Sequence, residues 1–170
     1  MNISHLGNLT PHADIPEWLV SKPVPVPYFD GLELTFTLDG LEDTDEPDVK
    51  AAIESFLKLS SADRLAASPH VFKNYKRIAD LANEENLGFT ITSEHAVWDH
   101  VRPSEVFVSR RSRRDRAIYV QITAECDWEP EHGLQIIYRR GAKLSRVSDQ
   151  DGHLTYTDAF DLPEDQDRIA

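Results

Sequence analysis

Residues 117 to 148 read A-I-Y-V-Q-I-T-A-E-C-D-W-E-P-E-H-G-L-Q-I-I-Y-R-R-G-A-K-L-S-R-V-S. Three short strand candidates, Ala117–Thr123, Leu134–Arg139 and Lys143–Val147, are separated by links that hold the glycine, proline and most of the charge. Working outward, Glu105–Arg110 upstream and His153–Thr157 downstream have the same character. Five short apolar runs with turn residues in every gap predict an antiparallel meander. No internal repeat points to a solenoid or propeller.

The first half supplies what would cover that sheet. Residues 1–27 read as an extended arm ending in Pro23-Val24-Pro25-Val26-Pro27, whose prolines remove donors and keep it out of a sheet. Leu32, Leu34, Phe36 and Leu38 alternate with polar residues and predict one half-buried strand. Six of the ten residues from Asp39 to Asp48 are acidic, which suits a loop feeding the N-terminus of a helix over 47–59. Ser60-Ser61-Ala62-Asp63 is an N-cap signature. The helix it starts is expected to break at Ser68-Pro69, because the residue before proline is pushed out of the helical region. A longer helix follows over 69–84, with Val71, Phe72, Tyr75, Ile78, Ala79 and Ala82 as its apolar stripe and an exit at Asn86 and Gly88. The expected architecture is α+β: an antiparallel sheet of about five or six strands covered on one face by two or three helices. It forms a single domain over 1–170, with a body at 28–162 and a frayed acidic tail from 163.

Composition narrows the function classes. The chain has 170 residues, one cysteine and a formal charge of −12. One chain can make neither a disulfide framework nor a cysteine-based zinc site, and a reducing compartment is expected. No secretory signal or membrane-length apolar run is visible, so the protein is expected to be cytoplasmic. Its charge repels nucleic acid and anionic membranes over long range and leaves a protein partner as the expected class. There is no glycine-rich phosphate loop, no G-x-S-x-G elbow and no defined metal motif, and no cofactor is expected.

A meander sorts its links between two ends. One end should collect Asp127, Trp128, Glu129, Glu131, His132, Asp151 and His153, the candidate binding cluster, with His100 nearby. The other should collect Arg110, Arg111, Arg113, Arg114, Arg139 and Arg140, a candidate patch for an anionic partner. That patch reads equally as a solvated hairpin tip paired with the acidic 39–48 loop. In the acidic cluster, His132, His153 and Asp151 are the residue types that could hold zinc, manganese or iron and activate water. The competing reading is a polar clasp, in which both histidines bond loop backbone. Cys126 would need a neighbouring histidine and a depressed pKa to act as a nucleophile, and its place at a strand end predicts a buried thiol.

The runs Cys126-Asp127-Trp128-Glu129-Pro130-Glu131-His132-Gly133-Leu134, Leu144-Ser145-Arg146-Val147-Ser148 and Asp151-Gly152-His153-Leu154-Thr155 resemble the signature of an uncharacterised bacterial domain family. Val97-Trp98-Asp99-His100-Val101 and the helix carrying Val71, Phe72, Asn74 and Tyr75 extend the likeness over roughly residues 28–160. The resemblance implies a domain without assigned activity, loosely associated with immunity-type and interaction modules. No residue role comes with it. The expectation is a binding or interaction protein with no catalytic residue, and a metal-dependent hydrolase at the acid/histidine end is the alternative.

Overall fold

The computed structural model describes residues 1–82 and 87–169. Seven strands form one sheet, in the order β1 (Thr10–Pro11), β2 (Leu19–Val20), β5 (Phe36–Asp39), β6 (Val101–Arg110), β7 (Ile118–Cys126), β8 (Leu134–Arg139) and β9 (Lys143–Ser148). The run β6 to β9 is the antiparallel meander read from the sequence.

The sheet is mixed rather than wholly antiparallel. β5 and β6 run parallel, with Phe36 beside Val106 and Asp39 beside Ser109. Between them the chain passes through helix α1 (Glu46–Phe56) and helix α2 (Ser61–Ala82) before returning to the sheet. A hairpin reverses direction, whereas a crossover of this length delivers a parallel neighbour.

The strand expected over 32–38 divides in two. Leu32–Leu34 is β4, which pairs with β3 (Val24–Val26) in a separate ribbon, and the chain changes sheets at Thr35. Leu34, Phe36 and Leu38 are buried as their alternation requires, but Leu32 remains 46% exposed. The proline-rich arm is also part of the fold. It supplies β1, β2 and β3, and Pro25 stands opposite Glu33 in a ribbon strand with a free edge, where a missing donor is tolerated. Ile3 and Leu6 reach the main core.

Helix α1 begins with Glu46, Pro47 and Asp48 and buries Val49, Ala52, Ile53 and Phe56. Helix α2 starts as its capping signature demands, with the Ser60 amide donating to Asp63 at 2.8 Å and the Ala62 amide to Ser60 Oγ at 3.3 Å. It does not break at Ser68-Pro69; Pro69 lies inside one continuous helix. Proline leaves the Leu65 carbonyl without its helical donor, but Leu65 is 42% exposed, so water can serve it. The buried residues Ala67 and Ser68 before the proline, and Val71, Tyr75 and Ala79 after it, keep both halves docked. Ser68 Oγ also accepts from the Trp98 indole at 2.8 Å. Of the exit expected at Asn86 and Gly88, Asn86 lies outside the described residues, and Gly88 has a φ of +74°.

Both helices pack on one face of the sheet. Phe36, Leu38, Val106, Val108, Val120, Ile122, Ile136, Tyr138 and Val147 share a single core with the buried residues of α1 and α2. The approach is close where the β8–β9 turn meets α1. A Cβ on Gly141 would lie 1.9 Å from the Ala52 carbonyl oxygen, and its φ of +68° independently favours glycine.

The other face is covered as well, which the sequence reading did not foresee. His153–Thr157, expected as a fifth meander strand, leaves the sheet. Arg146 and Gln135 donate to the His153 carbonyl at 2.7 and 3.3 Å and hold the chain over the sheet. Leu154 then packs on Ala117, Tyr119 and Ile137. Thr155 caps a short helix, α3 (Tyr156–Ala159), and a further turn covers Glu164–Gln166. The acidic terminus, expected to fray, is thus a strap bound to the sheet. Among the described residues no helix is long and apolar enough to cross a membrane.

Candidate functional site

The strand registers bring the expected links together. Val101 faces Cys126, Ala124 faces Leu134 and Gln135 faces Ser148, so the β7–β8 link and the exit from β9 share one sheet end. Gln150 Nε2 ties them by donating to the carbonyls of Ala124 at 3.2 Å and Leu134 at 3.3 Å. Gly133 packs tightly here: a Cβ would lie 2.5 Å from the Ala124 carbonyl oxygen.

The candidate cluster is not one chemical group. Trp128 is fully buried and donates its indole N–H to Asn74 Oδ1 at 2.8 Å. Asp127 accepts from Arg102 at 2.6 Å and pairs with His100 Nδ1 at 2.9 Å; the Arg102 hydrogen bond leads in holding its carboxyl below the usual range. Glu129 pairs with His132 at 3.3 Å, while the His132 side chain is 61% exposed. Glu131 is exposed. Asp151 takes a forked contact from Arg146, at 2.8 and 2.5 Å. His153 engages through its backbone, with its amide donating to Asp151 at 3.0 Å. The side chain of His132 is therefore tied to Glu129 and that of Asp151 to Arg146, while His153 meets Asp151 only through its backbone amide. Among the described residues no three His, Cys, Asp or Glu side chains gather as a metal site. Cys126 points its thiol at the Glu129 carbonyl at 3.8 Å, and burial pushes its pKa up to about 12, the opposite of an activated nucleophile.

Most of the arginine patch is neutralised from within. Arg110 binds Asp45 and Asp48 of the acidic loop at 3.0 and 2.8 Å. Arg111, only 2% exposed, holds the strap through Asp158, Glu164 and Thr155. Arg114 binds Glu164 at 2.7 Å, and Arg139 binds Asp115 at 2.6 Å. Arg113 and Arg140 are exposed at the same end. A hollow of about 730 Å³ on the strap side holds His153, Asp39, Gln121 and Arg113, but its Arg110, Arg111 and Arg114 already have carboxylate partners.

A cleft of about 460 Å³ opens beside the edge strand β9, between α2 and the strap. Helix α2 lines it with His70, Lys73, Asn74 and Arg77, β9 and its exit with Arg146, Val147, Ser148, Asp149 and Asp151, and the strap with Tyr156, Phe160 and Arg168. Asp149 clamps the helix to the strand end, accepting from Asn74 at 3.0 Å and from Arg77 at 2.8 and 2.6 Å. Trp128 braces that clamp from behind through Asn74, so the tryptophan of the C-D-W-E run supports the cleft without lining it. Across the opening the rings of Tyr156 and Phe160 lie 4.6 Å apart, and Phe160 is 59% exposed. The Arg168 guanidinium sits 4.1 Å above Tyr156. Burial, then the Lys73 charge, lowers the His70 pKa and favours its neutral form. Arg146 is 2% exposed, and its buried Nε–H has no acceptor among the described residues.

Of the cleft's lining, sequence reasoning had placed only Asp151 in a candidate site. It treated α2 as scaffold, yet a signal was present: positions 70, 73, 74 and 77 form a polar stripe at helical spacing beside the apolar one. Tyr156, Phe160 and Arg168 had no such signal, because nothing local says where a strap folds back.

No curated protein matches this chain, and neither does any solved structure. The family described as a domain of unknown function, DUF6985, matches residues 5–154, which take in the sheet, both long helices and the β9 side of the cleft. The chain belongs to that family.

Proposed function

We propose that this protein is a non-catalytic binding protein whose ligand seats in the cleft between α2, β9 and the strap. The observation that carries the reading is the cleft itself: a concave space of about 460 Å³ with an apolar aromatic wall and a few convergent polar groups. Its titratable groups are arranged for holding rather than for proton transfer. Asp149 and Asp151 are engaged by Arg77 and Arg146, and among the described residues that line the cleft no nucleophile stands beside a base. Phe160 exposes a large apolar surface that a ligand would cover.

Anilinonaphthalene, a neutral probe whose fluorescence rises in apolar surroundings, tests the reading. Wild-type protein should give a saturable rise with one site per chain. Phe160→Ser should remove most of it while leaving the urea unfolding midpoint nearly unchanged. No saturable rise, or a rise indifferent to Phe160→Ser, would overturn the proposal.

A further inference from the structure

Resting on that reading, we infer that the ligand is an anion with a flat apolar body, its charged group held between Lys73 and Arg168 while its body lies on Tyr156 and Phe160. The cleft runs against the charge of the molecule. The chain carries −12, yet the cleft places four cations, Lys73, Arg77, Arg146 and Arg168, around two carboxylates, Asp149 and Asp151. Those carboxylates are matched by Arg77 and Arg146 at 2.6 and 2.5 Å. Lys73 and Arg168 are left over. Neither has a carboxylate partner among the described residues, and both are exposed at the cleft.

The surplus has a direction. Lys73 stands on α2 and Arg168 on the strap, two of the three elements that build the cleft, so an anion between them bridges its walls. Arg168 is already placed by its own contacts: its guanidinium lies over the Tyr156 ring and donates to the Tyr156 hydroxyl. A ring resting on Tyr156 and Phe160 would therefore bring its substituent to a guanidinium held in advance, which lowers the ordering entropy of binding. Arg146 adds a third cue, since its buried Nε–H, in the wall of the same cleft, is a donor without an acceptor among the described residues. Arg168 and both rings lie beyond the stretch that the family matches, whereas Lys73 lies within it, so the strap supplies one of the two unmatched cations.

Two probes that differ only in charge test the inference on the full chain. Anilinonaphthalene sulfonate should bind at the cleft about tenfold more tightly than neutral anilinonaphthalene, the effect of two partly exposed charge contacts. The double variant Lys73→Gln, Arg168→Gln should erase that preference and leave the neutral probe's affinity within about twofold. Arg113→Gln with Arg140→Gln, at the far end of the sheet, should preserve it. Equal affinity of the wild type for both probes would overturn the anion inference while the cleft reading stands. So would equal loss of the preference in both double variants. If neither probe saturates a single site, the cleft reading falls first and takes the inference with it.

Discussion

Replacing Arg111 with methionine tests the strap directly. The guanidinium is 2% exposed and holds three strap residues: Asp158 by two bonds of 2.7 and 2.8 Å, Glu164 by two of 2.7 and 3.1 Å, and Thr155 Oγ1 at 3.0 Å. Removing one member of a fully buried ion pair costs about 3–5 kcal/mol, because its partner is left charged and dry. Here the carboxylates are better solvated, with Asp158 at 25% and Glu164 at 51% side-chain exposure. Solvent recovers part of the loss, and the net destabilisation should be about 2–3 kcal/mol. With a urea slope of about 2 kcal/mol per molar, the midpoint should fall by about 1–1.5 M. The melting temperature should fall by about 4–12 °C for a domain of this size. Hydrogen exchange supplies the local readout: amides of α3 and the Glu164–Gln166 turn should lose protection well beyond those of β7 and β8. Arg111→Lys should recover less than half of the loss, since an ammonium cannot fork to two carboxylates. A midpoint change below about 0.25 M, with strap protection intact, would refute the claim that this arginine holds the strap.

The Glu164 carboxyl, held at about 2 chiefly by its hydrogen bond from Arg111, should titrate near that value by carboxyl-detected NMR and return toward 4.5 in Arg111→Met. Because its folded pKa is depressed, this contact contributes fully above about pH 4.5 and is lost as pH falls through about 2; a wild-type midpoint near 4.5 would contradict the geometry. Gly141→Ala, with its Cβ 1.9 Å from the Ala52 oxygen, should cost about 3 kcal/mol or more in urea denaturation. Gly152→Ala, which also has positive φ but nothing within 4 Å, should cost only about 1 kcal/mol, so equal costs would discount the clash. Trp128→Phe keeps an aromatic ring near Tyr75 but orphans Asn74 Oδ1, and should destabilise by about 1–3 kcal/mol; a neutral result would show that the brace on the cleft contributes nothing.

The meander was legible because each of its strands carries its own signal. Leu134–Arg139 was read to the residue, and Lys143–Ser148 to within one. Period-two alternation and turn residues are local properties of a chain that must hide one face of a sheet. The same logic misled at His153–Thr157, where strand-like residues leave the ladder because Gln135 and Arg146 capture a carbonyl from across the sheet. It also misled at Pro69: the rule against proline in a helix describes an isolated helix, whereas here buried neighbours on both sides hold the helix straight through. The β7–β8 link and the exit from β9 meet at one sheet end, but the candidate cluster divides into separate bonded pairs and His153 lines the hollow that also holds Arg113, because strand register says where links meet and not which atoms touch. The cleft was missed because it takes its walls from an α2 face, an edge strand and a strap far apart in sequence.

By itself the sequence determined the α+β class, the β6–β9 meander, the capped start of α2 and the burial of Cys126. Each follows from residues close enough in the chain to impose periodicity, a turn or a cap on one another. Tertiary structure alone decided the parallel β5–β6 pairing, the division of 32–38 between two sheets, the unbroken α2, the arginine held beneath the strap and the cleft beside β9. These depend on which distant surfaces meet. Contacts between segments such as α2, β9 and the strap arise from packing the whole chain around one core, and no local stretch carries that choice.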